Sequence, residues 1–95
     1  MMNQELIIDE KTAELIVNFG AFRYGVEKMA SILDVDKGII DKEFKNKNSE
    51  FHRLYQKGVD VSDYKIDLKL FELTKAGDLK ALEKFEIRRK KNLNR

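Results

Sequence analysis

The sequence predicts an all-α protein of four to five helices, with a helix-turn-helix in its N-terminal half and a helical hairpin near its C-terminus. Apolar residues recur every three or four positions, which is the spacing of a helix with one buried face. Charged residues make up 38% of the 95 residues, and proline is absent, so breaks between helices are expected at glycines and polar turns. The length favours one domain over residues 1–95, with a single core.

The first two helices are predicted in the N-terminal third of the chain. Asp9 is a suitable N-cap, and the pattern after it predicts a helix from about Asp9 to Phe19 that ends at Gly20. The buried stripe of this helix consists of Ala13, Ile16, Val17 and Gly20. A second helix is predicted over residues 26–33, with its apolar side formed by Val26, Met29, Ala30 and Leu33.

Residues 25–45 fit the pattern of a helix-turn-helix. This motif needs a small residue where its two helices cross, and Ala30 provides it. Asp34 occupies the turn position at which glycine is preferred, and aspartate tolerates the left-handed backbone better than most residues do. The apolar residues that flank the turn or anchor the second helix are Leu33, Val35, Ile40 and Phe44. The pattern therefore predicts that residues 37–45 form the second helix of the motif, the third helix of the chain, and that this helix is held to the core on one side.

The other side of that second helix is suited to DNA. In a major groove it would present lysines that bind phosphates or contact guanine: Lys37, Lys42, Lys45 and the nearby Lys47. Asp36 and Asp41 repel phosphate. We therefore expect weak, salt-sensitive binding to double-stranded DNA by one copy, which is strengthened when several copies act together.

The positive charge of the chain is concentrated at its C-terminus. The net charge is only +2, yet residues 88–95 contain no acid and five basic residues: Arg88, Arg89, Lys90, Lys91 and Arg95. Such a basic tail attracts polyanions, above all nucleic acid. Basic residues near the end of a helix also stabilise its negative pole, and the sequence leaves both interpretations open.

Residues 49–87 are predicted to form a helical region for hairpin formation and oligomerisation. A helix starts at Asn48 or Ser49, and the sequence leaves open whether it continues through Gly58. Beyond Gly58 the helix is apolar on two opposite sides, so it needs two partners. One side carries Tyr64, Leu68 and Phe71, and the other carries Ile66, Leu70 and Leu73. We expect the second set to form the interface between subunits of a homo-oligomer.

A stop signal and a start signal follow each other at Gly77 and Asp78. Glycine ends one helix and aspartate caps the next, which predicts a hairpin whose last helix covers residues 79–91. Ala81 is expected to allow a close approach between the two helices. The side chains expected to face the core are Leu79, Leu82 and Phe85.

The chain lacks the residues that most enzymes and metal proteins require. It has no cysteine and one histidine, so zinc is not expected, and the absence of cysteine suits the cytoplasm. No glycine-rich loop leads to Lys-Ser or Lys-Thr, and Asp34 and Asp36 are explained by the turn. His52 has no nearby serine or second histidine to act with. We therefore expect neither catalysis nor a cofactor.

Three segments resemble the small subunit of phage terminases, the DNA-packaging proteins of tailed phages. They are YGVEKMASILDV, EFHRLYQKG leading into DYKIDLKLFEL, and TKAGDLKALEKFEIRRK, and together they cover about residues 22–89. The resemblance implies a ring-forming protein of a phage or prophage that selects viral DNA in the bacterial cytoplasm. It also implies a large ATPase–nuclease subunit as partner, DNA contact through Lys37, Lys42 and Lys45, and assembly through residues 64–73.

Two other functions are compatible with the same sequence. The first is a small transcriptional regulator that uses the helix-turn-helix as a dimer on a palindromic operator. The second is a helical protein–protein interaction module that does not bind DNA. The DNA site and the number of subunits are not encoded in any motif of the chain.

Overall fold

The computed structural model describes residues 4–94, and over that range the protein is built from five α-helices without a β-strand. The helices are α1 (Glu10–Phe22), α2 (Val26–Leu33), α3 (Lys37–Lys45), α4 (Glu50–Lys75) and α5 (Leu79–Leu93). The predicted all-α class is therefore confirmed. The chain consists of two compact units, each packed mainly within itself: the first extends through Val61, and the second begins at Ser62.

The ends of α1 are set by local hydrogen bonds. The side chain of Asp9 accepts a hydrogen bond from the backbone N–H of Thr12 at 2.8 Å, so Asp9 is the N-cap, as predicted. The predicted end at Gly20 is wrong, because α1 continues to Phe22 and ends where Arg23 takes a left-handed backbone. A glycine costs a helix only about 1 kcal/mol relative to alanine, and here its lack of a side chain is required for packing.

The turn between α2 and α3 has the backbone that the sequence predicts. Asp34 adopts the left-handed conformation, with φ 55° and ψ 47°. The N–H of Val35 donates to the carbonyl of Ala30 at 3.2 Å, which ties the turn back onto α2. Asp36 then caps α3, since its side chain accepts from the N–H of Gly38 at 2.8 Å. Both aspartates of this turn therefore have a structural role, Asp34 in the left-handed turn and Asp36 as the N-cap of α3.

A second set of hydrogen bonds joins the end of α3 to the start of α4. The hydroxyl of Ser49, which is buried, donates to the carbonyl of Glu43 at 2.6 Å and accepts from the N–H of His52 at 3.0 Å. The ring of His52 is 2.8 Å from the carbonyl of Phe44, so its Nδ1 carries the proton and donates. These bonds hold the loop between α3 and α4 in place.

The helix α4 is continuous through Gly58, because this glycine is where α4 meets α1. A Cβ on Gly58 would lie 2.8 Å from the carbonyl carbon of Val17 and closer still to its oxygen. A Cβ on Gly20 would lie 2.8 Å from the carbonyl carbon of Tyr55, again closer to the oxygen. The backbones of α1 and α4 thus touch at two points, and any side chain at either glycine would separate them.

The core of the first unit forms around this crossing. Its buried members are Ile16, Phe19, Met29, Ala30, Val35, Ile40, Phe51 and Leu54. Of the other apolar residues predicted for the first three helices, Ala13, Val17, Val26, Leu33 and Phe44 are partly buried against this cluster. The Tyr55 hydroxyl donates to the carbonyl of Tyr24 at 2.9 Å, and burial raises the pKa of Tyr55. The ring of Phe44 meets that of Tyr55 edge-on, with centroids 4.9 Å apart. Packing thus ties α3 to α4.

In the second unit, α5 lies against the C-terminal half of α4. Gly77 has φ +96°, as a helix-ending glycine should, and Asp78 accepts from the N–H groups of Lys80 and Ala81 at 3.0 Å each. Ala81 is buried, and the rings of Phe71 and Phe85 are 5.6 Å apart. The predicted helix stop at Gly77 and cap at Asp78 are confirmed.

One expectation for α5 is wrong, since Leu79 is 78% exposed and does not face a core. The side of α5 that meets α4 includes Ala81, Phe85 and Arg88, which lie within about 60° of one another at 100° per residue. Leu79 points about 160° away from Ala81 on the same helix. Leu82 also remains 39% exposed.

We predict that Gly58→Ala destabilises the protein by at least about 2 kcal/mol, although alanine is the better helix former by about 1 kcal/mol. The new methyl group would collide with the backbone of α1, which cannot move aside like a flexible side chain. Urea denaturation followed by circular dichroism measures the change. Gly25→Ser is the control, because its Cβ meets nothing within 4 Å and serine is a good N-cap for α2. Equal stability of Gly58→Ala and wild type would contradict the contact.

The cap at Asp9 predicts a dependence of stability on pH. Hydrogen bonds from Thr12 lower the pKa of Asp9 below its usual 3.8, so the ionised cap stabilises the folded state. Its contribution is complete above pH 3.8 and is lost as the pH falls through the lower folded value. Asp9→Asn keeps a capping oxygen without the charge. The stability difference between the two proteins should therefore vanish in acid, and a constant difference between pH 7 and 2 would be inconsistent with this assignment.

Candidate nucleic-acid interface

The helix α3 is held to the core along one side and exposed along the other. Ile40 is fully buried and Phe44 half-buried, whereas Gly38, Lys42 and Lys45 are exposed. At 100° per residue, those three exposed positions fall within about 60° of one another. Neither Lys42 nor Lys45 is pressed against the body of the molecule, so this side of α3 is accessible to a large ligand.

The predicted DNA-contacting lysines differ in their local partners. Lys37 forms an ion pair with Glu27 at 3.1 Å, and Lys45 forms one with Asp41 at 3.0 Å. Both pairs are exposed, and such pairs contribute less than about 1 kcal/mol, so a phosphate can displace the carboxylates. Lys42 and Lys47 make no ion pair within residues 4–94. These two carry the uncompensated charge of the region.

Acidic side chains limit the positive potential near Lys42. A shallow groove beside α3 is lined by Lys42 together with Glu5, Glu43 and Glu50. These carboxylates oppose the approach of phosphate on that side of the helix. The more positive surface lies toward the C-terminal end of α3, where Lys45 precedes Lys47.

The basic tail is a helical segment over most of its length, because α5 extends to Leu93. Arg88 does not project freely. Its Nε donates to Asp67, its guanidinium lies 3.6 Å from the carboxylate of Asp63, and the hydrogen bond to Asp67 raises the pKa of Arg88. Only 27% of the Arg88 side chain is exposed, so its charge is largely used to join α5 to α4.

The remaining tail residues are more accessible. Arg89 pairs with Glu86 at 3.1 Å in an exposed contact, and Lys90 and Lys91 are exposed without an ion pair in the part of the chain that is described. Arg95 lies outside the described residues. The partner of Arg88 could have been suspected from the sequence, because Asp63 and Asp67 are one turn apart on a single helix and can bind the same cation. Counting the charges of residues 88–95 alone does not reveal this pairing.

The two apolar sides of α4 beyond Ser62 are both incompletely covered. In the predicted interface, Ile66 is 46% exposed, whereas Leu70 and Leu73 are half-buried. Leu70 and Tyr64 each lie within about 60° of Asp67 around the helix, so both flank the strip of α4 that contacts α5 through Asp67 and Phe71. On the opposite apolar side Tyr64 is 64% exposed.

Other types of site find no counterpart in the described chain. Among residues 4–94, no three acidic or histidine side chains converge where they could hold a metal ion. No helix of that range has the length and apolar character needed to cross a membrane. His52 is half-buried, and its ring is bonded to the backbone carbonyl of Phe44.

Comparison with protein-family models, curated proteins and solved structures found no match. The resemblance to terminase small subunits therefore depends on the three sequence segments alone.

We predict that Arg88→Gln lowers the free energy of unfolding by about 1 kcal/mol, because it removes a partly buried ion pair between α4 and α5. Arg89→Gln is the matched control, since it breaks an exposed pair within one helix and should change stability by less than about 0.5 kcal/mol. Thermal unfolding of both variants measures the difference. Equal stabilities would show that Arg88 is available for other contacts.

Proposed function

We propose that this protein is a non-catalytic double-stranded DNA-binding protein, of the type of the phage terminase small subunit, which recognises viral DNA for packaging. The observation that carries the proposal is the orientation of α3. Its buried Ile40 fixes the helix while Lys42 and Lys45 remain exposed on the opposite side, after a turn in which Asp34 has the left-handed backbone. This arrangement is compatible with the insertion of α3 into a major groove.

Binding in this proposal is electrostatic. Lysines of α3 and of the basic tail neutralise phosphates and release the counterions condensed on DNA, so affinity falls steeply with salt. A single copy offers few unpaired lysines and several acids near Lys42, so its affinity is low. Assembly of several copies on one DNA raises the overall affinity because later contacts form at high effective concentration.

The proposal includes a homo-oligomer and a large ATPase–nuclease subunit as partners in the bacterial cytoplasm. Support for assembly comes from the exposed apolar residues of the hairpin, chiefly Ile66 and Tyr64. The protein itself would catalyse no reaction and require no cofactor. A dimer that binds a palindromic operator would instead indicate a transcriptional regulator, and a ring of many subunits would indicate packaging.

We predict that Lys42→Glu combined with Lys45→Glu weakens binding to a duplex at least tenfold at low salt, because it places repulsive charge on the exposed side of α3. Lys80→Glu combined with Lys84→Glu changes the net charge equally on α5 and serves as control. Fluorescence anisotropy at two salt concentrations measures affinity, and circular dichroism verifies helicity. Undetectable binding of the wild type at low salt would refute DNA binding, and equal losses in both variants would place the contact elsewhere.

We predict that Ile66→Asp reduces the size of the assembly measured by light scattering at high protein concentration. Ile66 is a cleaner test than Leu70, whose side of α4 contacts α5, so a charge there also disturbs the hairpin. Tyr64→Asp tests the opposite apolar side of α4, and Lys84→Asp, at an exposed polar position on α5, is the control. A wild-type chain that remains a monomer at every concentration would contradict the assembly.

A further inference from the structure

A second basic surface lies along α4, and of its cationic residues only Lys47 is among the DNA contacts predicted from the sequence. An open groove of about 500 Å³ runs along the first three turns of this helix. Three cationic side chains line it, namely Lys47, Arg53 and Lys57. The rest of its lining consists of His52, Gln56, Asp60 and Val61.

The groove is on the side of α4 that faces away from the core. Phe51 and Leu54 are buried on one side of the helix, whereas Arg53 and Lys57 are exposed on the other. Arg53 and Lys57 are four residues apart, which separates them by roughly 6 Å along the axis. At that spacing each can contact a different phosphate of one strand.

The charges of the groove are only partly compensated. Arg53 is 3.9 Å from Glu50, a long and exposed ion pair that contributes little. Asp60 is the one acid in the lining, and it accepts a hydrogen bond from Gln56 at 3.1 Å, so the three cationic side chains outnumber the acidic ones there. Lys47 and Lys57 have no ion pair among the residues that the structure describes. The groove therefore attracts anions.

The groove is also rigidly connected to α3. Lys47 lies two residues after the end of α3, in the loop held by the hydrogen bonds of Ser49 and His52. Asn46 adds a further constraint, since its side chain accepts from the N–H of Asn48 at 3.0 Å. The cations of α4 are consequently presented at a set position relative to Lys45, and little conformational entropy is lost when they bind.

We propose that Lys47, Arg53 and Lys57 bind the phosphate backbone of the duplex that α3 contacts, as a second strip of contacts beside the major groove. This inference rests on the proposed function, since it assigns a further surface to the same ligand. A DNA backbone is favoured as the occupant because the groove is open, has three cationic side chains against one acidic one in its lining, and is continuous along the chain with Lys45.

The test is the salt dependence of binding to a 30-base-pair duplex by the full chain. Log affinity falls with log salt, and each lost phosphate contact makes this fall less steep by about 0.9. Arg53→Gln with Lys57→Gln should therefore reduce the steepness by about 1.8. Lys65→Gln with Lys69→Gln, at the same spacing farther along α4, is the control and should leave the slope unchanged. Circular dichroism verifies that both variants remain helical.

Failure of this inference differs from failure of the proposed function. If the wild type binds the duplex and the Lys42/Lys45 charge reversal weakens it, but the Arg53/Lys57 variant keeps the wild-type slope, the groove does not contact DNA although the protein does. If the wild type binds no duplex at low salt, both proposals fall. If polyglutamate binds as tightly as the duplex and loses the same slope in the Arg53/Lys57 variant, the duplex is not the specific occupant.

Discussion

The backbone contact between α1 and α4 is the constraint on which the first unit depends. Gly20 and Gly58 leave no side chain between the two helices, so each backbone lies directly against the other. Ile16 and Phe19 of α1 and Phe51 of α4 belong to the same buried cluster. The position of α4 in turn determines where its first residues meet the end of α3.

The presentation of α3 follows from that arrangement. Ile40 is enclosed by the core, and the bonds of Ser49 and His52 fasten the end of α3 to the start of α4. A helix held at both its buried side and its C-terminus offers its lysines at low entropic cost. The electrostatic potential differs along the exposed side of α3: carboxylates lie beside Lys42, whereas the surface toward Lys47 is more positive.

The features that could be predicted from the sequence are those set by residues within about one turn of each other. Asp9 and Asp78 cap helices through hydrogen bonds to N–H groups two or three residues ahead. Asp34 takes the left-handed backbone of the turn, and Gly77 ends α4. These are local preferences of short side chains and of glycine, so the all-α class and the approximate positions of most helices follow from the sequence alone.

Other features depend on what each segment packs against, and only the tertiary structure decided them. The sequence predicts a helix end at Gly20 and leaves open a break at Gly58, but both glycines lie within helices because a distant backbone occupies the space of their missing side chains. Arg88 was counted with the basic tail, yet Asp63 and Asp67 hold it against α4. Sequence periodicity shows that a face is apolar or charged, but it does not name the partner, because contacts between residues far apart in the chain are set by the packing of whole helices.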